Sequence, residues 1–453
     1  MTFCSIDYVL FFVLAFVLTR IFCLNTPFFI LIVSLAFYAI NNFQSSFFLI
    51  GYVLLNYIIY RKSGKGKVSL LVAWIFNLST LIGFKYVFVG HGSYIPLIGL
   101  SFLILRTMSL MIDTHRGVYS SEANFTTYAA YISFFPLLNM GPVERASKLL
   151  PQLQSPAPFQ YELAVKGIQI MLVGFFMKIV LANRIGYMIN PVFEHLSDYN
   201  MTTSLVVFPL YAFQLYYDFA GYSYIAIGSA KVLGYDVSGN FNMPFFAKNM
   251  TDFWQRWHIS VGSWFRDYIY VPCYMFLKKL GAFWSVQKAH LVAIFISFML
   301  LGLWHNVTWN FVLAAIVQFA FLGIELFYKP STKKIAGLVL SRLYVFVVFS
   351  FTIIFFHLPI EDIQIFFNRS FTAQFNGLSF LDTDDFNIEF CLATLVCIVI
   401  AFFIEALHFQ KNRLVEVNEW GKIPRWIFYF IITLAFLGLG VFNDSQKFVY
   451  EQF

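Results

Sequence analysis

The chain has 453 residues, of which 60% are hydrophobic, 21% aromatic and 12% charged, with a formal net charge of +7. A soluble globular chain carries roughly 25% charged residues, so this composition excludes a water-soluble fold and points to an integral membrane protein. Its long unbroken apolar runs fit helices rather than the alternating strands of a barrel. The positive balance does not read as nucleic-acid binding, because Lys and Arg sit mostly in short loops between apolar runs, as the positive-inside rule places them. Cys4, Cys23, Cys273, Cys391 and Cys397 are scattered and odd in number, and form neither a metal spacing nor a disulfide framework.

The runs Tyr8–Leu24, Phe28–Ile40 and Phe47–Tyr60 predict three close-spaced helices. The first is read as a retained span, since it has no basic n-region and no obvious small-residue cleavage site. The basic loop Arg61–Lys67 belongs in the cytoplasm, which puts the N-terminus outside. Val68–Val89 and Ile95–Ile112 follow as two further crossings. Tyr128–Met140 is too short to span comfortably and predicts a re-entrant or interfacial helix, and the Pro-rich Pro151–Pro158 reads as a linker. Gly167–Ile189 crosses with Lys178 inside it, a lysine that either snorkels or pairs internally. Ser204–Ala220 returns inward.

Gly221–Lys279 is amphipathic rather than spanning and carries Lys231, Asp236, Lys248, Asp252, Arg256, His258, Arg266 and Asp267. His290–Trp304 and Val307–Phe327 form a hairpin with His305 at its elbow. Lys278, Lys279 and Lys288 before it, and Lys329, Lys333 and Lys334 after it, draw both outer ends to the cytoplasm. A short first arm would put the elbow deep in the membrane and let His258 and His305 meet there. Tyr344–Leu358, Phe390–Leu407 and Trp426–Phe442 complete the crossings, with an acidic loop Glu361–Glu389 outside and a basic segment Lys411–Arg425 inside. The expected fold is an all-α polytopic membrane protein with roughly 10–12 membrane-embedded helices, re-entrant segments included.

Two histidines each follow a tryptophan next to apolar sequence: Trp257-His258 and Trp304-His305. Ionisable groups at membrane depth are costly and usually face a protein interior or a water-filled cavity, which makes both candidates for chemistry. The alternative for each is a packed, hydrogen-bonded structural histidine. Trp254, Trp257 and Trp264, at i, i+3 and i+10, can share one helical face, either lining a water-excluding tunnel or simply packing. Asp252 and Arg256 are spaced to pair, whereas Arg266 and Asp267 are adjacent and each needs another partner. Asp218 is a structural hydrogen-bond hub or an acid. There is no GxSxG elbow, no P-loop and no metal triad.

Several ordered segments together carry a family resemblance. Ser101 and the corner Asp113-Thr-His-Arg116-Gly117, Phe134-Phe-Pro136 with Gly141-Pro142-Val-Glu144-Arg145 and Leu150-Pro-Gln152, and Asp218-Phe-Ala-Gly221-Tyr222-Ser223 are among them. So are Asn240-Phe-Asn242, Phe253-Trp254-Gln-Arg256-Trp257-His258-Ile-Ser260, Trp264-Phe-Arg266-Asp267-Tyr268, Gly302-Leu-Trp304-His305 and the closing Phe448-Val-Tyr450-Glu-Gln452-Phe453. The pattern resembles the membrane-bound O-acyltransferase (MBOAT) family, and within it the bacterial alginate O-acetyltransferase type. The chain departs from it at Cys273, Asn306, Tyr224 and Gln318.

The resemblance implies a catalytic core over residues 128–330 between N-terminal membrane helices (1–127) and C-terminal ones (331–453). It implies acyl transfer to a hydroxyl, with His305 as the essential histidine and His258 as the second. Trp254, Trp257, Trp304, Arg266, Asp267 and Asp218 are the candidate substrate-binding or tunnel-lining residues; no metal and no bound cofactor are expected. The implied donor is acetyl-CoA or another acyl thioester on the cytoplasmic side of a bacterial inner membrane. The implied acceptor is a secreted or envelope polysaccharide, reached directly or through a secreted partner acyltransferase. D-alanyl transfer towards teichoic acid and a non-enzymatic transporter or flippase are the alternatives.

Overall fold

The computed structural model describes residues 3–21, 26–63, 66–84, 99–119, 123–138, 140–196, 201–281, 284–328, 334–372, 388–409 and 421–442. The terminal Phe448–Phe453 motif and most of Lys411–Arg425 lie outside these residues. The chain packs as two compact units. One comprises Met1–Leu172 and Tyr222–Gly239, the other Val173–Gly221 and Asn240–Phe453. Among the described residues the fold is helical throughout. Seven helices there are long and apolar enough to cross a membrane, and Pro27–Asn41 and Lys67–Ile82 are shorter apolar helices.

The first unit begins with α1 (Ile6–Phe16), α2 (Pro27–Asn41), α3 (Phe43–Ser63), α4 (Lys67–Ile82), α5 (Leu100–His115) and α6 (Phe125–Ile132), followed by a 3-10 turn at Phe135–Leu137. Polar side chains join α3 and α4: the Tyr52 hydroxyl donates to Asn77 at 2.6 Å, and the Asn77 amide donates to Asn56 at 2.8 Å. Such bonds tie helices together where lipid and apolar side chains are equally oily. The eight-residue α6 is too short to span, as expected for this segment. Fully buried Arg106 of α5 donates to the carbonyls of Tyr131 and Ile132, at the end of α6, and to that of Leu137 in the 3-10 turn.

The predicted linker at Pro151 is instead helical: α7 spans Ala146–Gln154 with Pro151 inside it. Burying Leu149, Leu150 and Leu153 returns about 1.5–3 kcal/mol each, enough to offset the roughly 3 kcal/mol of an interior proline. Gln152 closes the motif by exchanging two bonds with the Asp236 backbone, at 2.9 and 2.7 Å. The Glu144 carboxylate accepts from the backbone N–H and hydroxyl of Ser238.

Next come α8 (Tyr161–Phe175), a π-helical stretch Phe176–Ala182 and α9 (Asn183–Glu194), which form one continuous apolar rod of 34 residues. α10 runs Met201–Val232, twelve residues beyond the predicted end at Ala220. Gly221 does not break it. A Cβ there would meet the Gly174 carbonyl oxygen at 2.9 Å and the Lys178 nitrogen at 3.0 Å, so the glycine permits a close backbone approach rather than a turn. Gly221→Ala should therefore cost about 1–3 kcal/mol of overpacking, read as a lowered unfolding temperature in detergent.

In the second unit the short α11 (Met250–Trp254), α12 (Ile259–Phe265) and α13 (Val271–Lys279) lead to the hairpin α14 (Val286–His305) and α15 (Trp309–Phe327). The elbow at His305 is as expected, but the first arm is not short. Twenty residues rise about 30 Å, the length of a full span, so the elbow ends an arm of spanning length. A Cβ on Gly302 would meet the Phe311 carbonyl oxygen at 2.8 Å, which is how closely the two arms approach. α16 (Ile335–His357), α17 (Ile360–Thr372), α18 (Ile388–Phe409) and α19 (Lys422–Leu439) complete the chain.

Candidate active site

His258 sits between α11 and α12, in the left-handed region at φ 43° and ψ 51°. That conformation is uncommon for a residue with a side chain and is held here from both sides. The Asn242 N–H donates to the Arg256 carbonyl, and the Ile259 N–H to the Asn240 carbonyl, each at 2.9 Å. The Asn240 side-chain oxygen accepts from the Ser260 hydroxyl at 2.8 Å, from the Ser260 N–H at 3.3 Å, and from His258 Nδ1 at 3.1 Å. An amide oxygen only accepts, so Nδ1 carries the proton and Nε2 the basic lone pair. The ring lies edge-on to Phe219 at 4.6 Å and parallel to Phe241 at 6.5 Å. His258 lies outside the seven candidate spans, and burial pushes its imidazole down to about 3, so it is neutral at ordinary pH.

His305 is the last residue of α14 and is 8% exposed. Its ring is enclosed by Trp304 at 4.7 Å, Phe311 at 6.0 Å and Phe356 at 5.6 Å. α12 runs from His258 to the neighbour of His305. His258 precedes its first residue, and Phe265, its last, meets Trp304 at 6.4 Å. Both belong to the second unit.

The tryptophans do not share one helical face. α11 ends at Trp254 and the backbone turns at His258, so the i, i+3, i+10 spacing is not carried by a single helix. Trp254 donates from Nε1 to Gln318 at 3.0 Å, Trp257 packs on Phe253 and Phe349, and Trp264 packs on Phe265 and Tyr268. Arg256 pairs with Asp252 at 2.7 Å as the spacing predicts. Arg266 and Asp267, expected to need separate partners, also pair with each other at 2.8 Å. The two open a π-helical stretch, Arg266–Tyr270, and both side chains are exposed, so the pair adds little stability. Asp218 is fully buried and pairs with Lys178 at 2.5 Å, which settles how that intramembrane lysine is accommodated.

Sequence reasoning gave no role to Asn240, Glu325 or Glu405. Tyr216 donates to buried Glu405 at 3.1 Å, and Glu325 accepts from the start of α11. A carboxylate inside an apolar run is itself the signal that finds the two glutamates.

Among the described residues the fold is helical, and the site belongs to a multi-pass membrane protein with two buried histidines, one just before α12 and one at the end of α14. Residues 45–363 match the membrane-bound O-acyltransferase (MBOAT) family, and the chain belongs to it. It is 32% identical over 231 residues to a probable alginate O-acetylase of Azotobacter vinelandii, covering 50% of this chain and 44% of that protein. It is 26% identical over 350 residues to a peptidoglycan O-acetyltransferase of Helicobacter pylori, covering 67% and 65%. It is 30% identical over 255 residues to a teichoic acid D-alanyltransferase of Streptococcus thermophilus, covering 53% and 61%. The matches thus span 44% to 65% of the length of these relatives.

Proposed function

We propose that the chain is an O-acyltransferase of a bacterial inner membrane that acetylates hydroxyls of a secreted or cell-envelope polysaccharide. The donor is a cytoplasmic acyl thioester, acetyl-CoA in the simplest case. The observation that carries this reading is His305, held at the hairpin elbow in an aromatic enclosure within a chain of this family. His305 takes the proton from the acceptor hydroxyl as its oxygen bonds to the thioester carbonyl carbon. The tetrahedral intermediate then expels the thiolate, which recovers that proton, giving an ester and a free thiol. His258, neutral with Nε2 as its basic atom, orients the acceptor or assists proton movement. Trp254, Trp257, Trp304, Arg266, Asp267 and Asp218 remain candidates for lining the substrate path.

The acceptor reading favours acetylation because two of the three relatives above are named for it. The match to a D-alanyltransferase supports the second reading, transfer of an alanyl group towards teichoic acid. Mass spectrometry of envelope and secreted glycans from cells with and without the protein decides between them. A loss of acetyl esters is expected. A loss of alanyl esters would replace the acceptor assignment, and unchanged acylation would overturn the proposal.

A further inference from the structure

The second hairpin arm does more than cover His305. Phe311, Gln318 and Glu325 are spaced by seven residues, two helical turns, so they lie nearly in line along one side of α15. All three are buried, at 2%, 3% and 5% exposure. Phe311 lies against the His305 ring. Gln318 accepts from Trp254 Nε1 at 3.0 Å and donates to the Thr352 hydroxyl of α16 at 2.9 Å. Thr352 in turn donates to the Val348 carbonyl at 2.8 Å, which fixes its hydroxyl and hence the Gln318 amide. Glu325 accepts from the Met250 N–H at 2.6 Å, and from the Thr251 N–H and hydroxyl at 3.1 and 3.2 Å. Those are the first residues of α11, whose N–H groups have no partner within so short a helix.

We infer that Gln318 and Glu325 are positioning residues: through them α15 holds α11, and with it His258, in fixed register with His305, which the same side of α15 touches through Phe311. α11 has only five residues and cannot hold its own shape. Its two ends are bonded to one helix at points about 10 Å apart along the axis. Four residues after the second anchor comes the left-handed His258, so a shift of α11 moves the imidazole. The inference rests on the acyltransferase reading for its catalytic consequence, not for its geometry.

The test uses the full-length protein in lipid nanodiscs, with labelled acetyl-CoA as donor and the cell's own extracted glycan as acceptor. Backbone hydrogen exchange over residues 248–258 is followed in parallel. Glu325→Ala and Gln318→Leu should each lower the maximal rate about 10- to 100-fold, the cost of displacing a reacting group by about an ångström, with the KM for acetyl-CoA changed less than about threefold. Exchange should rise over 248–258 and not in α14. Glu325→Gln, which keeps one carbonyl acceptor, should recover part of the rate. If Glu325→Ala does not fold, Gln318→Leu and Glu325→Gln carry the same comparison. Unchanged exchange, or raised exchange with a near-normal maximal rate, would overturn the inference. A wild-type protein that transferred no acyl group would remove the acyltransferase reading instead, while the exchange arm would still decide whether α15 holds α11.

Discussion

His305→Ala should abolish acyl transfer and leave a folded protein. A positioned general base contributes typically 10²–10⁴-fold, and the variant should lose at least about that much. Trp304, Phe311 and Phe356, the rings around the imidazole, cannot take a proton in its place. Folding should survive. The ring ends a helix that is long and apolar enough to span by itself, and its removal leaves a void among the aromatic side chains around it. The measurement pairs a transfer assay with size-exclusion and thermal-unfolding profiles of wild type and variant. His258→Ala should be impaired in the same assay, since Asn240 holds its Nε2 in the basic form. Near-normal acylation by a well-expressed His305→Ala protein would sink the assignment of the base.

Much of this arrangement was legible in the sequence because it is written in long-range averages. Apolar runs and their basic flanks locate the spans, and the break at Asn306–Thr308 locates the elbow and so His305. What was not legible depends on single backbone angles or on partners distant in sequence. Nothing in Gln-Arg-Trp-His announces a left-handed residue, so the tryptophans looked like one helical face when a turn divides them. The bond from Trp254 to Gln318 joins residues 64 apart and leaves no periodic trace. Local propensity reads Pro151 as part of a linker, yet it lies inside a helix where tertiary packing overrides that propensity, and the helix expected to end at Ala220 runs on through Gly221. Lys178 was legible as a costly charge, but its partner was not. The aspartate lies 40 residues on, on a different helix.

That pair gives the sharpest stability prediction. Lys178 and Asp218 are 5% and 1% exposed at the side chain, 2.5 Å apart. The desolvation of both charges is offset by their mutual attraction only while both are present. Lys178→Gln or Asp218→Asn alone should therefore cost about 3–5 kcal/mol, because each strands the other charge in a dry interior. The double variant Lys178→Gln/Asp218→Asn removes both charges and keeps near-native volume with amides that can bond to each other. Volume matters here, since Gly221 already brings its backbone against Lys178. It should recover most of the loss, and a double-mutant cycle on unfolding in detergent measures how much. The same variant separates the two roles open to Asp218. A stable double variant that still transfers acyl groups makes the carboxylate a structural partner. A stable double variant without activity puts the pair, rather than its charge balance alone, in the reaction. Failure of the double variant to recover stability would mean that the charges are held by other groups, and that the pair is not the unit that fixes α10 against the π-helical stretch at Phe176–Ala182.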